Sequence, residues 1–398
     1  MTKKYLYVYF LTIGIIFISV GLVSFIVDPY GIFLLEVRAG FNQQKEGVRN
    51  KIRFVKALEL PMRKPSTLLM GSSRVHDALN PAHPRLQQFS PVYNYGVDMN
   101  HITETGALLR HAARNSKIKR VILGLDLFMF NSLQVKNPNF DEALIGRKVE
   151  IADYLQTIFS LDALQDSIKT FIGSSKNPSR EEFLSNGYRP QAFYGLKNFP
   201  AAHYYTTWIF LSKAKGNTTR YYSDFQLNDS VFTEFEELLD FCQQQGIEVI
   251  LYINPAHANL DGEGLVALGK WDAMEQWKRK ITRISNAHDI KIWDFSGYNS
   301  ITTEEVKNPM KYYWDSSHFN EEVGNMILNR ILSDGALVPK DFGILLNEKN
   351  IESHLSSINK DRGKYIEKYA NKMKILHQEY REIILGAPLD LSRISGMY

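Results

Sequence analysis

Residues 66–74 read Ser66-Thr67-Leu68-Leu69-Met70-Gly71-Ser72-Ser73-Arg74. The apolar part forms a short strand, and Gly71 lets the backbone turn sharply where a Cβ would clash. Two serines follow where the chain leaves the sheet. Val75, Leu79 and Pro81 then indicate a brief helical or irregular segment. A serine at the carboxyl end of a parallel strand stands where open α/β sheets bind ligands. The same residues also suit a plain strand-to-helix turn with Ser72 or Ser73 as its N-cap. The rest of the chain has to separate these readings.

Working outward, a second short strand runs over Pro91–Val97 and ends at Gly96. A helix over Thr103–Ser116 leads to a third strand, Arg120–Phe128, which is continuously apolar at its centre. Such strands belong to parallel sheets covered on both faces. Residues 129–222 break the rhythm. They hold a helical stretch (Ile151–Ile172), a polar loop (Gly173–Arg180) and an aromatic piece with Tyr188, Phe193, Tyr194, Tyr204, Tyr205 and Trp208. This insertion is expected to cap the carboxyl edge of the sheet, its aromatics lining a sugar or acyl groove or filling its own core. The alternation resumes with a helix (Ser230–Gln245), a strand (Glu248–Ile253), a helix (Trp271–Asn286), a strand (Ile290–Phe295) and a closing helix (Glu321–Leu332). The fold class is α/β: a three-layer sandwich around a parallel five-stranded sheet, over residues 64–335. In the tail, residues 336–398, Ile366, Tyr369, Met373, Leu376 and Tyr380 recur at steps of three and four. That is an amphipathic helix, which docks on its own domain or on a partner.

The chain has 398 residues, enough for a sizeable core. Its net charge of +4 carries no argument for nucleic acid, and no Lys/Arg block resembles a backbone-binding stripe. The single cysteine, Cys242, excludes an internal disulfide and a cysteine-based metal site.

Residues 6–27 are apolar without a charge, and a bilayer core needs roughly 20 such residues as a helix. Tyr5, Tyr7 and Tyr9 suit one interface, Tyr30 the other, and Asp28-Pro29 stops the helix. A cleaved signal peptide would have a shorter apolar region and small residues before the cut, and no Ala-x-Ala-like site is present. The expectation is one uncleaved anchor in the inner (plasma) membrane. Lys3 and Lys4 place residues 1–5 in the cytoplasm and the domain outside, in the periplasm or at a comparable surface. Residues 28–63, with the basic run Arg49–Arg53, read as a solvated linker that turns helical near Phe54–Leu58.

Asp315-Ser316-Ser317-His318 lies in a loop before the closing helix. An imidazole can take a proton from a serine hydroxyl while a carboxylate holds its tautomer and stabilises its protonated form. Together the blocks resemble the SGNH (GDSL-type) hydrolases. Their Gly-Asp-Ser strand end is matched by Gly71-Ser72-Ser73, their second-block glycine by Gly96, and their Asp-x-x-His by Asp315 and His318. The resemblance implies a flavodoxin-like sandwich with Ser73 as nucleophile, His318 as general base and Asp315 as its orienting carboxylate. It implies that the Ser73 and Gly96 amides face the oxyanion. The family's third block offers an asparagine amide, where this chain has Gly124-Leu125-Asp126. Ionised Asp126 cannot donate. Either Asn131 or Asn254 supplies the amide, or the hole is built differently, or the site is inactive; Asp126 then pairs structurally, with Arg74. His257, in Asn254-Pro255-Ala256-His257, either binds substrate in the cleft or is a loop histidine at the rim.

An anchored outer domain of this kind also resembles the proteins of alginate O-acetylation and of D-alanyl transfer to teichoic acid. That resemblance implies an esterase or O-acyltransferase acting on acyl groups of a cell-surface polysaccharide. The partners it implies are the acylated polymer, or an acyl donor passed on by a membrane protein. No cofactor or metal is called for. The alternative is a non-catalytic glycan-binding assembly factor that uses the same cleft. The enzyme reading requires Ser73 Oγ and the His318 ring to lie within hydrogen-bond reach.

Overall fold

The computed structural model describes residues 2–134, 137, 139–177, 182–190, 198–213, 221–333, 335 and 337–392. Its main elements, in order, begin with α1 (Thr2–Val27), α2 (Ile52–Arg63), β1 (Thr67–Met70), α3 (Ser73–Ala78), β2 (Val92–Asn94), α4 (Ile102–Asn115) and β3 (Arg120–Leu125). The insertion holds α5 (Ile151–Ile158), α6 (Leu161–Lys176) and α7 (Phe199–Leu211). Then come α8 (Asp229–Gln244), β4 (Glu248–Ile253), α9 (Trp271–Ala287), β5 (Ile292–Asp294), α10 (Glu321–Leu332), β6 (Ile344–Leu346), α11 (Ile351–Lys368) and α12 (Ala370–Ile384).

The strands lie in the order β2-β1-β3-β4-β5-β6. The first five are mutually parallel, with Thr67 of β1 paired to Val92 on one side and Arg120 on the other. The chain thus moves from β1 first one way and then the other. In open sheets the crevice at such a reversal, outside the carboxyl ends of the strands, receives ligands. Alternate strand residues face opposite layers. Leu68, Met70, Val121, Leu123 and Leu125 pack with α2, α4, α8 and α9, whereas Leu69, Ile122 and Tyr252 pack with α3 and α10.

Three expectations are corrected. The sheet has a sixth strand: β6 runs antiparallel to β5, with Ile292 opposite Leu346. Gly343, at φ +90°, turns the chain into it, and three apolar residues are too short to announce a period. The tail is therefore part of the domain. Met373, Leu376, Tyr380 and Ile383 of α12 pack on Tyr204 and Leu211 of α7. Residues 28–63 are not a solvated linker either. Arg53 and Lys56 of α2 are buried. Lys56 Nζ donates to the carbonyls of Asn94 (2.8 Å), Gly96 (2.8 Å) and Gly187 (3.0 Å). Arg53 donates to Glu104 at 2.8 Å and to the Asp98 carbonyl at 2.6 Å. Burial pulls the Lys56 pKa down to about 7. Finally, the helix expected over Ile151–Ile172 is two helices, broken at Phe159 and Ser160, where Ser160 Oγ caps α6 by accepting from Ala163 N at 3.0 Å.

The insertion's aromatics serve mainly as core. Tyr188 and Tyr204 are buried and Tyr205 is half exposed. Trp208 Nε1 donates to the Ala387 carbonyl at 3.1 Å, and Phe193 and Tyr194 lie outside the described residues. α1 is long and apolar enough to cross a membrane, a property of length and composition that a signal sequence shares.

Replacing Leu376 with Ala should destabilise the protein by about 2–5 kcal/mol, the cost of a large-to-small change in a closed core. Urea unfolding of the two proteins measures it; an unchanged midpoint would mean that α12 does not stay docked.

Candidate active site

The turn after β1 is fixed by Gly71, whose φ is +142°. A Cβ there would press on the Gly124 carbonyl of β3 and on Val75. The two serines then take separate parts. Ser72 is the N-cap of α3: its Oγ accepts from Arg74 N at 3.3 Å and donates to Asp126 Oδ2 at 2.6 Å. It is fully buried, while Ser73, in the first turn of α3, is only half-buried. The cap reading holds for Ser72, and Ser73 is the serine that faces the His318 ring.

Ser73 Oγ lies 2.9 Å from His318 Nε2. His318 Nδ1 lies 2.8 Å from Asp315 Oδ2. The other oxygen of Asp315 accepts the Ser317 N–H (2.7 Å) and the His318 N–H (2.8 Å), so the carboxylate is held from its own loop. An ionised Asp315 accepts at Nδ1–H, which leaves the Nε2 lone pair facing the serine hydroxyl. Burial opposes a charged His318. The charge and hydrogen bond of Asp315, with Asp77 adding, outweigh burial and raise its pKa above the ordinary imidazole value; Arg74 opposes them. Burial also works to raise the Asp315 carboxyl, but His318 and the two backbone N–H groups hold it below its ordinary value.

Arg74 ties the loop to the sheet. Its Nε donates to Ser317 Oγ at 3.1 Å and its Nη1 to Asp126 Oδ1 at 2.6 Å, with Asp261 Oδ2 at 3.3 Å. Arg74 and Asp126 are both buried, so Asp126 is an acceptor for Arg74 and Ser72. Burial nevertheless raises the Asp126 pKa, with Arg74 and Ser72 opposing.

The remaining candidates divide. The Gly96 N–H is committed to Asn94 Oδ1 at 3.0 Å, which corrects its expected part in the oxyanion site. Gly96 is closely enclosed: a Cβ there would crowd Ser72 O and His76 N. Asn131 Oδ1 accepts from Leu133 N (3.2 Å) and Gln226 N (3.1 Å), so it stitches a loop. Asn254 Nδ2 points back to the Leu125 carbonyl at 3.4 Å. His257 is neither a substrate ligand nor a rim residue. It is fully buried, its Nε2 lies 2.7 Å from the Glu304 carbonyl, and its Nδ1 accepts from Asn259 N at 3.2 Å. Burial pushes its pKa down to about 4. The segment buttresses the triad loop: His257 N donates to Ser316 O at 3.0 Å, and Tyr313 Oη donates to Pro255 O at 2.8 Å.

The sequence reading missed a second charged group. Buried His76 sits between Asp77 Oδ1 (2.7 Å) and Asp98 Oδ1 (2.8 Å), and Arg189 approaches Asp77 at 3.6 Å. The available signal was helical spacing, since His76 follows Ser73 by one turn. Two buried side-chain donors on residues that adjoin Ser73 and Asp315 have no acceptor among the described residues: Arg74 Nη2 and Ser316 Oγ. No group of three or more potential metal ligands occurs among the described residues. A scan against known protein-family models finds no match to this chain, and no curated protein matches its sequence.

Arg74→Met should cost about 3–5 kcal/mol, because it leaves Asp126 buried and uncompensated, and Arg74→Met with Asp126→Leu should recover part of that loss. Urea unfolding of the four proteins of this cycle decides it; additive losses would contradict the pairing. The lowered pKa of Asp315 contributes stability that is present above about pH 4 and lost as pH falls through its folded value. Asp315→Asn should flatten that acid limb in pH-dependent unfolding.

Proposed function

We propose that this chain is a serine esterase or O-acyltransferase of the SGNH (GDSL-type) class, anchored in the plasma membrane by α1. Its domain faces outward and works on acyl groups of a cell-surface polysaccharide. The observation that carries the reading is the continuous pair of contacts from Ser73 Oγ to His318 Nε2 (2.9 Å) and from His318 Nδ1 to Asp315 (2.8 Å). The doubly wound strand order, with Ser73 directly after β1, supports the same class.

In this reading Ser73 Oγ attacks the ester carbonyl as its proton passes to His318 Nε2, and Asp315 stabilises the imidazolium. The Ser73 N–H, in the first turn of α3, donates to the tetrahedral oxyanion. His318 then protonates the departing sugar hydroxyl, leaving the acyl group on Ser73. Water or a second sugar hydroxyl then attacks the acyl carbon and gives its proton to His318, which returns it to Ser73 Oγ as the acyl–serine bond breaks and the acid or the new ester leaves. Hydrolysis and transfer differ only in that acceptor. The occupied Gly96 N–H and the carboxylate at 126 favour a second reading, a glycan-binding assembly factor without turnover.

Purified full-length protein should hydrolyse an aryl acetate, and Ser73→Ala should abolish the reaction while retaining the fold. The acid limb of kcat/KM should have an apparent pKa above about 6.5, because raised His318 must lose its proton to act as base. In cells, a Ser73→Ala strain should change the acyl content of its surface polymer. Unchanged acylation together with no esterase activity in the wild-type protein would select the second reading.

A further inference from the structure

α6 is amphipathic in the wrong sense for a water-exposed helix. Its buried face is Ala163, Asp166, Ser167, Thr170, Gly173 and Ser174. Its large apolar side chains point outward: Leu161 is 78% exposed, Ile168 52% and Phe171 49%. α5 adds Ile151 at 78% and Leu155 at 47%. Small residues inward and large apolar ones outward is how helices pack when the surrounding solvent is itself apolar. Asp162, Gln165 and Lys169 share the exposed side of α6 with them, but large apolar side chains left exposed on two adjoining helices mark an interaction surface.

The position of the hairpin names that partner. The ring of Phe159, at the turn between α5 and α6, stacks on Phe17 of α1, with centroids 4.4 Å apart and planes 5° apart. Gly21 makes room for it, since a Cβ there would enter the Phe159 ring. Further along, Phe25 meets Phe33 at 5.0 Å, and Phe33 meets Tyr154 of α5 at 6.1 Å. Phe17 lies ten residues before Val27, the last residue of α1. At a rise of 1.5 Å per residue that is about 15 Å along the axis. A hydrocarbon core is about 30 Å thick. Lipid that covers α1 to its domain end therefore also meets the helices packed against residues 17–25.

We propose that the α5–α6 hairpin is a second lipid-contacting element, seated in the bilayer beside α1, which fixes the domain's orientation on the membrane. This rests on α1 being a membrane helix, as the proposed function also assumes. α1 and the hairpin together form one apolar base, and the domain does not swing on a flexible tether.

The test uses full-length protein with Cys242→Ala, which removes the buried native thiol. Single cysteines replace Ile168, Phe171, Ile18 as the α1 reference, or Glu352 as the water reference. Each is labelled with a nitrobenzoxadiazole dye in phosphatidylcholine–phosphatidylglycerol vesicles. Labels at 168 and 171 should be quenched by acyl-chain nitroxides about as strongly as at 18, and several-fold less than at 352 by iodide. Labels at 168 and 171 that behave like 352 while 18 stays lipid-quenched would overturn the hairpin and leave the anchor standing. A water-accessible label at 18 would overturn both.

Discussion

The contact between Ser73 Oγ and His318 Nε2 joins residues 245 positions apart in sequence. The site depends on its holding. One end is set by Gly71, which lets the chain leave β1 against the Gly124 carbonyl. The other is a tight loop in which Tyr313 bridges Phe319 and Trp314 N donates to His318 O. What brings the two together is Arg74, bonded at once to Ser317 and to Asp126 after β3. A buried ion pair loses much of its attraction to desolvation, so its value here is geometric more than energetic. It sets the loop at one height over the sheet's edge.

The same device recurs away from the site. Buried Glu263 accepts from Tyr298 (2.6 Å) and from Arg362 (3.0 and 2.9 Å), and meets His377 at 2.6 Å. It thereby holds both tail helices, α11 and α12. Buried Asp294 at the end of β5 binds Lys278 of α9 at 2.6 Å and His354 of α11 at 2.8 Å. Lys56 ties α2 to the carbonyls of residues 94 and 96 behind the turn that carries Ser73. Each charge is expensive to bury and each is satisfied, so each specifies where a peripheral segment docks. The segments before and after the sheet are locked to it through polar contacts as well as apolar ones.

This explains what was legible in the sequence. Runs such as Val121-Ile122-Leu123 announce a covered parallel strand, and the glycine-serine turn with Asp315 and His318 marks three side chains that meet at one rim. These signals are local. The buried roles of Arg53, Lys56 and Glu263 are not, because a charged side chain is read as solvated unless its partners are known. The spacing Arg53, Lys56, Glu59 on one helical face was the available hint. His257 misled for the opposite reason: a histidine after a strand looks like chemistry, and only its two backbone partners reveal a buttress. The exposed apolar side of α6 was hidden by the break at Phe159–Ser160, which divides one long pattern into two faces.

The proposed chemistry requires the hydroxyl of Ser73 to be nucleophilic. The most direct measurement is covalent labelling of the full-length protein with a fluorophosphonate, followed by peptide mass mapping. The expected result is a single adduct on Ser73, with none on Ser72, that is lost in His318→Ala. A folded, membrane-inserted protein that stays unlabelled, or that is labelled only at another residue, would contradict it.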